Sequence, residues 1–228
     1  MAHIIEAGGH QCLLFSEEER PRALLVQPLG AQERDTVDGE WAMIREAVGV
    51  PLAMAAFSVD DWEAELAPWP DAALSRRPEV GAGAAATLRL VTDDLLPRLR
   101  DEWGPLPVII GGYSLAGLFA LWAATVAGEF EGVAAVSPSV WIDGWQDYIG
   151  RHPVLSRQVY LSLGDREEHV RHRAFRRVGD NIRFTAAVLM RQLGADRCVL
   201  EWNEGNHFAD APGRTARGFA WSVRHLLG

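Results

Sequence analysis

The sequence predicts an α/β fold in which a mostly parallel central sheet is covered by helices on both faces. Short apolar runs alternate with amphipathic helical segments along nearly the whole chain of 228 residues. The strand-like runs are continuously apolar, which is typical of parallel strands that are buried on both faces. No linker, repeat or shift in composition interrupts this pattern. We therefore expect residues 1–228 to form a single domain.

Charge and composition restrict the partners and the compartment. The chain has 22 Lys and Arg against 31 Asp and Glu, a net charge of −9, so no nucleic-acid partner is expected. No apolar run approaches the roughly 20 residues of a membrane-spanning helix. The N-terminal residues MAHIIE do not resemble a signal peptide, and only two cysteines are present, Cys12 and Cys198. We expect a cytoplasmic protein, and a homo-oligomer is compatible with the sequence.

The first half of the chain is predicted to begin with a hairpin. Residues 4–5 and 13–15 are apolar and flank Gly8–Gly9, which indicates two antiparallel strands at a sheet edge. A helical segment that ends at Trp103 contains Pro97, which lacks a backbone donor and should kink or break the helix. The other elements predicted here are a charged turn at 17–21, strands at 23–26 and 52–57, a helix at about 39–48 and a Trp- and Pro-rich loop at 60–70.

The second half continues the alternation of strands and helices. One long helix is predicted from Phe175 to Leu193, with both residues on its apolar face. The other elements predicted here are strands at 108–110, 133–136, 159–163 and 198–202, a helix that stops near Gly128 and a closing helix with Phe219, Val223 and Leu226 on one face.

The segment VIIGGYSLAGLFALW, residues 108–122, has the strand, turn and helix pattern of a nucleophile elbow. In such an elbow, a tight turn holds a serine in strained backbone geometry and exposes its Oγ. Gly112 and Ser114 match the motif G-x-S-x-G, while Ala116 replaces the second glycine. The alternative interpretation is an ordinary turn serine or helix N-cap.

His207 is the best candidate for a base that would activate Ser114. A serine hydroxyl needs an adjacent imidazole to take its proton, and the imidazole needs a carboxylate to fix its tautomer. Of the seven histidines, only His207 follows a predicted core strand in a loop before the last helix. The alternative is a histidine with a structural role in its loop.

The matching acid is expected in the segment GDREE, residues 164–168, which directly follows a predicted strand. Glu167 is the first choice for the acid and Asp165 the second, while Glu168 is expected to face solvent. The order serine, acid, histidine is that of the α/β-hydrolases. A charged helix N-terminus is the alternative interpretation of the surplus carboxylates, and a Ser–His dyad with a weak acid also stays open.

An oxyanion hole and a substrate pocket complete the predicted site. The backbone N–H of Leu115 is expected to be one oxyanion donor, and the loop with Gly30 and Ala31 is expected to supply the second. The predicted pocket residues are aromatic: Trp62, Trp69, Trp141 and Tyr113. The alternative for each tryptophan is that it anchors a long loop to the core.

Four segments resemble the Putative esterase family of the α/β-hydrolase superfamily, which includes enterochelin esterase-like and esterase D-like proteins. They are GGYSLAGLF at 111–119, VSPSVW at 136–141, LSLGDRE at 161–167 and GNHF at 205–208. The resemblance implies an α/β-hydrolase fold and a serine esterase with Ser114 as nucleophile and His207 as base, without a metal or organic cofactor. The chain departs from the family at Ala116 and at Leu29–Gly30, where an Asp-Gly is common, and we expect no additional N-terminal domain.

The leading hypothesis is hydrolysis of a small-molecule ester, with an aromatic or other acyl group, through an acyl-enzyme on Ser114. Acyl transfer or thioester hydrolysis by the same residues is a second hypothesis. A third is a hydrolase-fold protein without catalysis that binds a ligand or partner, because fold alone does not determine function.

Overall fold

In the computed structural model, which describes residues 2–17, 20–31, 33–74 and 81–228, eight strands form one sheet. The charged turn predicted at 17–21 lies partly outside the described residues. The strands are β1 His3–Ala7, β2 His10–Ser16, β3 Leu24–Leu29, β4 Ala53–Ser58, β5 Val108–Tyr113, β6 Gly132–Val136, β7 Gln158–Gly164 and β8 Cys198–Asn203.

The sheet is mostly parallel, which confirms the predicted fold class. Its strand order is β1-β2-β4-β3-β5-β6-β7-β8, and all neighbours from β4 to β8 pair in parallel. β2 pairs with β4 in the antiparallel direction. β1 and β2 form the predicted antiparallel hairpin at the edge, with His3 opposite Leu14.

Helices cover both faces of the sheet. They are α1 Val37–Val48, α2 Trp62–Leu66, α3 Ala84–Arg89, α4 Leu96–Trp103, α5 Leu115–Val126, α6 Trp145–Arg151, α7 Arg173–Arg176, α8 Val178–Leu193 and α9 Ala211–Leu227. Within the described ranges, no helix is both long enough and apolar enough to cross a bilayer.

The two faces of the sheet belong to two separate apolar clusters. Ile109 of β5 belongs to the cluster that contains Ile44 of α1 and Phe219 of α9. Its neighbour Ile110 belongs to the other cluster, which contains Leu121 of α5. Successive strand side chains point to opposite faces, so a strand covered on both sides must be apolar at every position. This explains the continuous apolar runs in the sequence.

The sequence predicts that Pro97 kinks or breaks its helical segment, and the structure shows no break at this residue. The chain from α3 to α4 is helical throughout, but Leu90–Leu95 forms a π-helical segment between them. Pro97 is the second residue of α4, directly after this π-helical segment.

The prediction of one long helix from Phe175 to Leu193 is wrong. The chain forms the single turn α7 and then α8, and Phe175 is 37% exposed. The buried positions of α8 recur from Val178 through Ile182 to Leu189, and Phe175 falls outside that stripe. Its ring instead packs edge-on against Trp141, with the centroids 4.6 Å apart. The helices α2 and α6 were not predicted, because both are short and α2 lies in the loop predicted at 60–70.

Glu40 is a buried acid on α1. Its side chain accepts a hydrogen bond from Gln27 Nε2 at 2.7 Å, and the residue is only 7% exposed. Burial raises the pKa of Glu40 to about 8, although the bond from Gln27 acts in the opposite direction. The unfolded chain ionises this group near pH 4.3. Between these two values the folded state keeps a proton that the unfolded state has lost, so the Glu40 contribution to stability falls as pH rises.

We predict that Glu40→Gln increases the free energy of unfolding at pH 7 by up to about 4 kcal/mol, because the neutral amide takes up no proton on folding. The gain should shrink as pH falls through about 4.3 and vanish below it, because the wild-type carboxyl group then becomes neutral in the unfolded state as well. Denaturant unfolding at several pH values measures the difference. Glu46→Gln is the matched control, since Glu46 is exposed on the same helix. A difference between Glu40→Gln and wild type that does not depend on pH would contradict the prediction.

Candidate active site

Ser114 stands at the sharp turn between β5 and α5 with a backbone that few non-glycine residues adopt. Its φ is 57° and its ψ is −119°. The Ser114 N–H donates to Val136 O at 2.9 Å, and the Ser114 carbonyl accepts from Leu118 N at 3.1 Å and Ser139 N at 3.0 Å. These bonds hold the turn in a conformation that costs on the order of 1–3 kcal/mol.

Small residues make this turn sterically possible. A Cβ on Gly112 would lie 2.6 Å from the Cβ of Ala116, so these two positions tolerate little additional bulk. A Cβ on Gly117 would lie 2.9 Å from Gly112 O. The close approach of the helix backbone to Gly112 O is therefore made at Gly117, one residue after the second glycine position of the motif. Ala116, which occupies that motif position, is tolerated because it packs against Gly112.

The structure brings Ser114, His207 and Glu167 together. His207 Nε2 lies 3.0 Å from Ser114 Oγ, and His207 Nδ1 lies 2.7 Å from Glu167 Oε2. Because a carboxylate only accepts, the proton of the neutral ring belongs on Nδ1, and Nε2 is left to accept from the hydroxyl. This is the arrangement in which an imidazole can take a proton from a serine.

Glu167 is buried, and Oε1, the oxygen that does not contact His207, accepts three hydrogen bonds. Oε1 accepts from Ser137 Oγ and Gly164 N, both at 2.7 Å, and from Arg214 Nη1 at 3.2 Å. Burial alone would raise the pKa of Glu167. The hydrogen bond and charge of His207 and the bonds from Ser137 and Gly164 outweigh burial and lower this pKa. The side chain is therefore a carboxylate at neutral pH.

Asp165 does not contact His207 and holds the histidine loop in another way. Its Oδ1 accepts from Gly205 N at 2.8 Å, and its own N–H donates to Asn203 O at 2.8 Å. A turn in which Glu167 N donates to Gly164 O at 3.1 Å brings Glu167, and not Asp165, back over the end of β7.

Tyr113 also holds the loop that carries His207. Its hydroxyl donates to His207 O at 2.7 Å, and the two rings lie 5.2 Å apart. The structure thus places Tyr113 behind the histidine and outside the cavity that Ser114 faces.

A cavity of about 380 Å³ opens beside Ser114 and His207. Trp62 and Trp141, which the sequence predicts as pocket residues, line it. The described apolar residues that also line it are Ala73, Leu74, Leu115, Val170, Phe175, Val178 and Phe208. Phe208 is 88% exposed at this site, directly after His207. An apolar group that enters the cavity would therefore meet aromatic and aliphatic walls.

Trp69 does not line this cavity. Its ring packs against Trp145 and Tyr148, with centroids 6.3 and 5.1 Å away, and its Nε1 donates to Asp143 O at 2.9 Å. Trp69 therefore anchors its loop to α6, as the alternative interpretation proposed.

The predicted oxyanion residues lie in three environments. Leu115 is buried at the start of α5 and lines the cavity. Gly30 packs against Trp62, since an added Cβ would lie 3.0 Å from its ring. Ala31 is exposed.

Three residues at the site were not predicted as functional. Ser139 Oγ lies 3.3 Å from Ser114 Oγ, and Ser137 Oγ donates to Glu167. Both belong to the segment VSPSVW, so this motif was a usable signal. Arg214 gave no such signal, because charged residues on a helix are normally exposed.

The family described as Putative esterase matches residues 40–210, three quarters of the chain. No curated protein matches the sequence. Three of the similar solved structures have sequence identities to this chain of 18% or less, so they show only that the α/β-hydrolase fold is shared.

An IroE-like serine hydrolase from Shewanella oneidensis superposes with a TM-score of 0.76 and 12% identity, covering 99% of this chain and 79% of that chain. The siderophore hydrolase EstA from Aspergillus nidulans has a TM-score of 0.76 and 18% identity, covering 99% of this chain and 94% of its own. The enterobactin esterase FES from Shigella flexneri has a TM-score of 0.71 and 18% identity. It covers 99% of this chain, which spans 59% of that protein.

Proposed function

The chain belongs to the Putative esterase family, and on this premise we propose that it hydrolyses a small-molecule carboxylic ester through an acyl-enzyme on Ser114. His207 is the general base and Glu167 the acid that orients it. The observation that carries this proposal is the continuous hydrogen-bond relay from Ser114 Oγ through His207 to Glu167, with distances of 3.0 and 2.7 Å.

The proposed reaction has two halves. In the first, His207 Nε2 takes the Ser114 proton while Oγ attacks the ester carbonyl carbon, and the resulting imidazolium returns this proton to the leaving alkoxide. In the second, a water molecule attacks the acyl group and gives a proton to His207, and the imidazolium then returns this proton to Ser114 Oγ as the bond to the acyl group breaks and the acid leaves. Glu167 Oε2 accepts from Nδ1 throughout and stabilises the cation that forms on the ring.

The negative oxygen of each tetrahedral intermediate needs backbone donors. We assign one to the N–H of Leu115, which directly follows the nucleophile at the start of α5. The second is proposed to come from the loop at Gly30 and Ala31. Packing of Gly30 against Trp62, a cavity wall, supports this assignment because it places the loop beside the cavity.

The cavity favours a neutral ester with an aromatic or other apolar group. Trp62, Trp141 and Phe175 offer flat walls, and Trp141 and Phe175 are already packed edge to face at 4.6 Å. Two of the similar structures carry names for siderophore hydrolysis or enterobactin esterase activity. Those names support ester cleavage as the reaction class, while the wall chemistry supports the apolar substrate.

We expect a fluorophosphonate probe to label the wild-type protein, because Oγ beside a base is an activated nucleophile. Ser114→Ala should abolish the labelling, as measured by mass spectrometry of the intact protein. Ser139→Ala is the matched control, since it removes the neighbouring hydroxyl and should leave Ser114 labelled. Folded wild-type protein that is never labelled would instead support a ligand-binding protein without catalysis.

The choice between the two carboxylates has its own test. Glu167→Gln should lower kcat by roughly 10³–10⁴-fold, as loss of the triad acid does in serine proteases. Asp165→Asn should lower kcat by less than about tenfold, because only the loop contact to Gly205 is weakened. Steady-state kinetics of both variants, with circular dichroism to verify folding, measures this difference. Equal losses in the two variants would contradict the assignment of Glu167.

Substrate preference tests the apolar cavity. Across a series of acyl esters, kcat/KM should rise by about fourfold for each added methylene until the cavity is full, which corresponds to about 0.8 kcal/mol per buried group. Trp141→Ala should flatten this series and change the acetate ester least. Trp202→Ala is the matched control, because Trp202 is 40% exposed on β8 and is not a wall residue. An unchanged series in Trp141→Ala would remove Trp141 from the proposed pocket.

A further inference from the structure

Arg214 is a buried cation that the proposed relay leaves without a role. It lies in the first turns of α9, and its side chain is only 1% exposed. Arginine is rarely buried without a partner, because removal of its charge from water is costly. The contacts of this side chain therefore indicate why it is there.

The guanidinium group contacts Glu167, Tyr113 and the loop that carries His207. Nη1 donates to Glu167 Oε1 at 3.2 Å and to Tyr113 OH at 3.1 Å. Nη2 donates to the carbonyl oxygen of Glu204 at 2.7 Å. Tyr113 OH in turn donates to His207 O at 2.7 Å. The position of Arg214 is thus set by three segments that meet at the site.

These contacts give the two carboxylate oxygens of Glu167 different hydrogen-bond donors. Among the residues that the structure describes, Oε1 accepts from Arg214, Ser137 and Gly164, while Oε2 accepts only from His207. A carboxylate whose first oxygen is held by three donors cannot rotate without breaking several bonds. The second oxygen is consequently kept in line with the imidazole.

Close packing at the end of β7 requires this arrangement. A Cβ on Gly164 would lie 2.9 Å from Glu167 Oε1 and 3.0 Å from Arg214 Nη1, and it would collide with Gly205 O. A glycine at this position lets the acid, the guanidinium and the histidine loop approach one another.

We propose, on the premise of the proposed function, that Arg214 is a positioning residue that acts on His207 through Glu167. Its cation lies 3.2 Å from Oε1 and adds to the contacts that favour the charged form of Glu167, and its bond to Oε1 reserves Oε2 for the imidazole. Arg214 does not face the cavity, so it contacts neither the substrate nor Ser114.

The proposal predicts a change in the pH dependence of catalysis. The titratable side chains that contact the guanidinium are Tyr113 and Glu167, and His207 lies beyond Glu167. A nearby cation opposes protonation of the coupled Glu167–His207 pair. When that cation is removed, the pair binds its proton up to a higher pH. The active, deprotonated form is therefore populated only at a higher pH than in the wild type.

The test compares Arg214→Gln, which removes the charge, with Arg214→Lys, which keeps it. For the full chain acting on an apolar ester, Arg214→Gln should lower kcat at pH 7 by at least about tenfold and leave KM nearly unchanged. The midpoint of the acid limb of kcat/KM should move up by about 1 pH unit. Arg214→Lys should return this midpoint towards the wild-type value.

Arg217 supplies the matched control on the same helix. It is half-exposed and pairs with Asn203 at 2.8 Å and Asp210 at 3.3 Å, away from Glu167. Arg217→Gln should leave the midpoint where it is in the wild type. An unshifted midpoint in Arg214→Gln, or equal shifts in the two glutamine variants, would overturn the proposal.

A double variant keeps the proposal testable if Arg214→Gln fails to fold. Glu167→Gln/Arg214→Gln removes both buried charges, which proteins tolerate better than the loss of one partner. If Arg214 acts through Glu167, kcat/KM of the double variant should lie within about threefold of that of Glu167→Gln. A further loss of more than about tenfold would show a separate action and would overturn the proposal.

An NMR titration of the His207 ring separates this proposal from the proposed function. The titration midpoint should move to higher pH in Arg214→Gln whether or not the protein turns over an ester. If the wild-type protein is not labelled and hydrolyses no ester, the proposed function fails. An unshifted His207 titration in an active enzyme would overturn the role of Arg214 alone.

Discussion

The buried carboxylate of Glu167 is the interaction on which the geometry of the site depends. Without partners, a charge removed from water would cost several kcal/mol. Its donors come from loops after β6 and β8, from the end of β7 and from α9. Because each donor belongs to a different element, compensation of one charge also fixes the relative positions of those elements at the carboxyl edge of the sheet.

The turn at Ser114 adds a second constraint. Its backbone strain is offset by hydrogen bonds to Val136 and Ser139 and by tight packing of Gly112 against Ala116. The backbone that carries the Ser114 hydroxyl is therefore held beside His207. A turn of small residues and a buried charge thus fix the positions of Ser114 and Glu167 on either side of His207.

The aromatic residues divide between structural and cavity roles. Trp69 fills the space against α6, whereas Trp62 and Trp141 line the cavity. The break between α7 and α8 places Phe175 beside Trp141 instead of on the core stripe of the helix. An interruption of one helix thereby adds a wall to the cavity, a result that helical periodicity does not predict.

The sequence by itself determined the parallel α/β sheet, the edge hairpin and the strand–turn–helix context of Ser114. These properties depend on local periodicity and on the steric needs of one turn, and both are written in neighbouring residues. It also predicted that the carboxylate beside His207 comes from the segment that contains Asp165 and Glu167. Only the tertiary structure decided that Glu167 meets His207, that Trp69 packs away from the cavity and that Arg214 is buried beside the acid. Such contacts join side chains that are 40 or more residues apart in the sequence. They depend on where each turn or helix places its side chain in space, and a local sequence pattern does not predict that position.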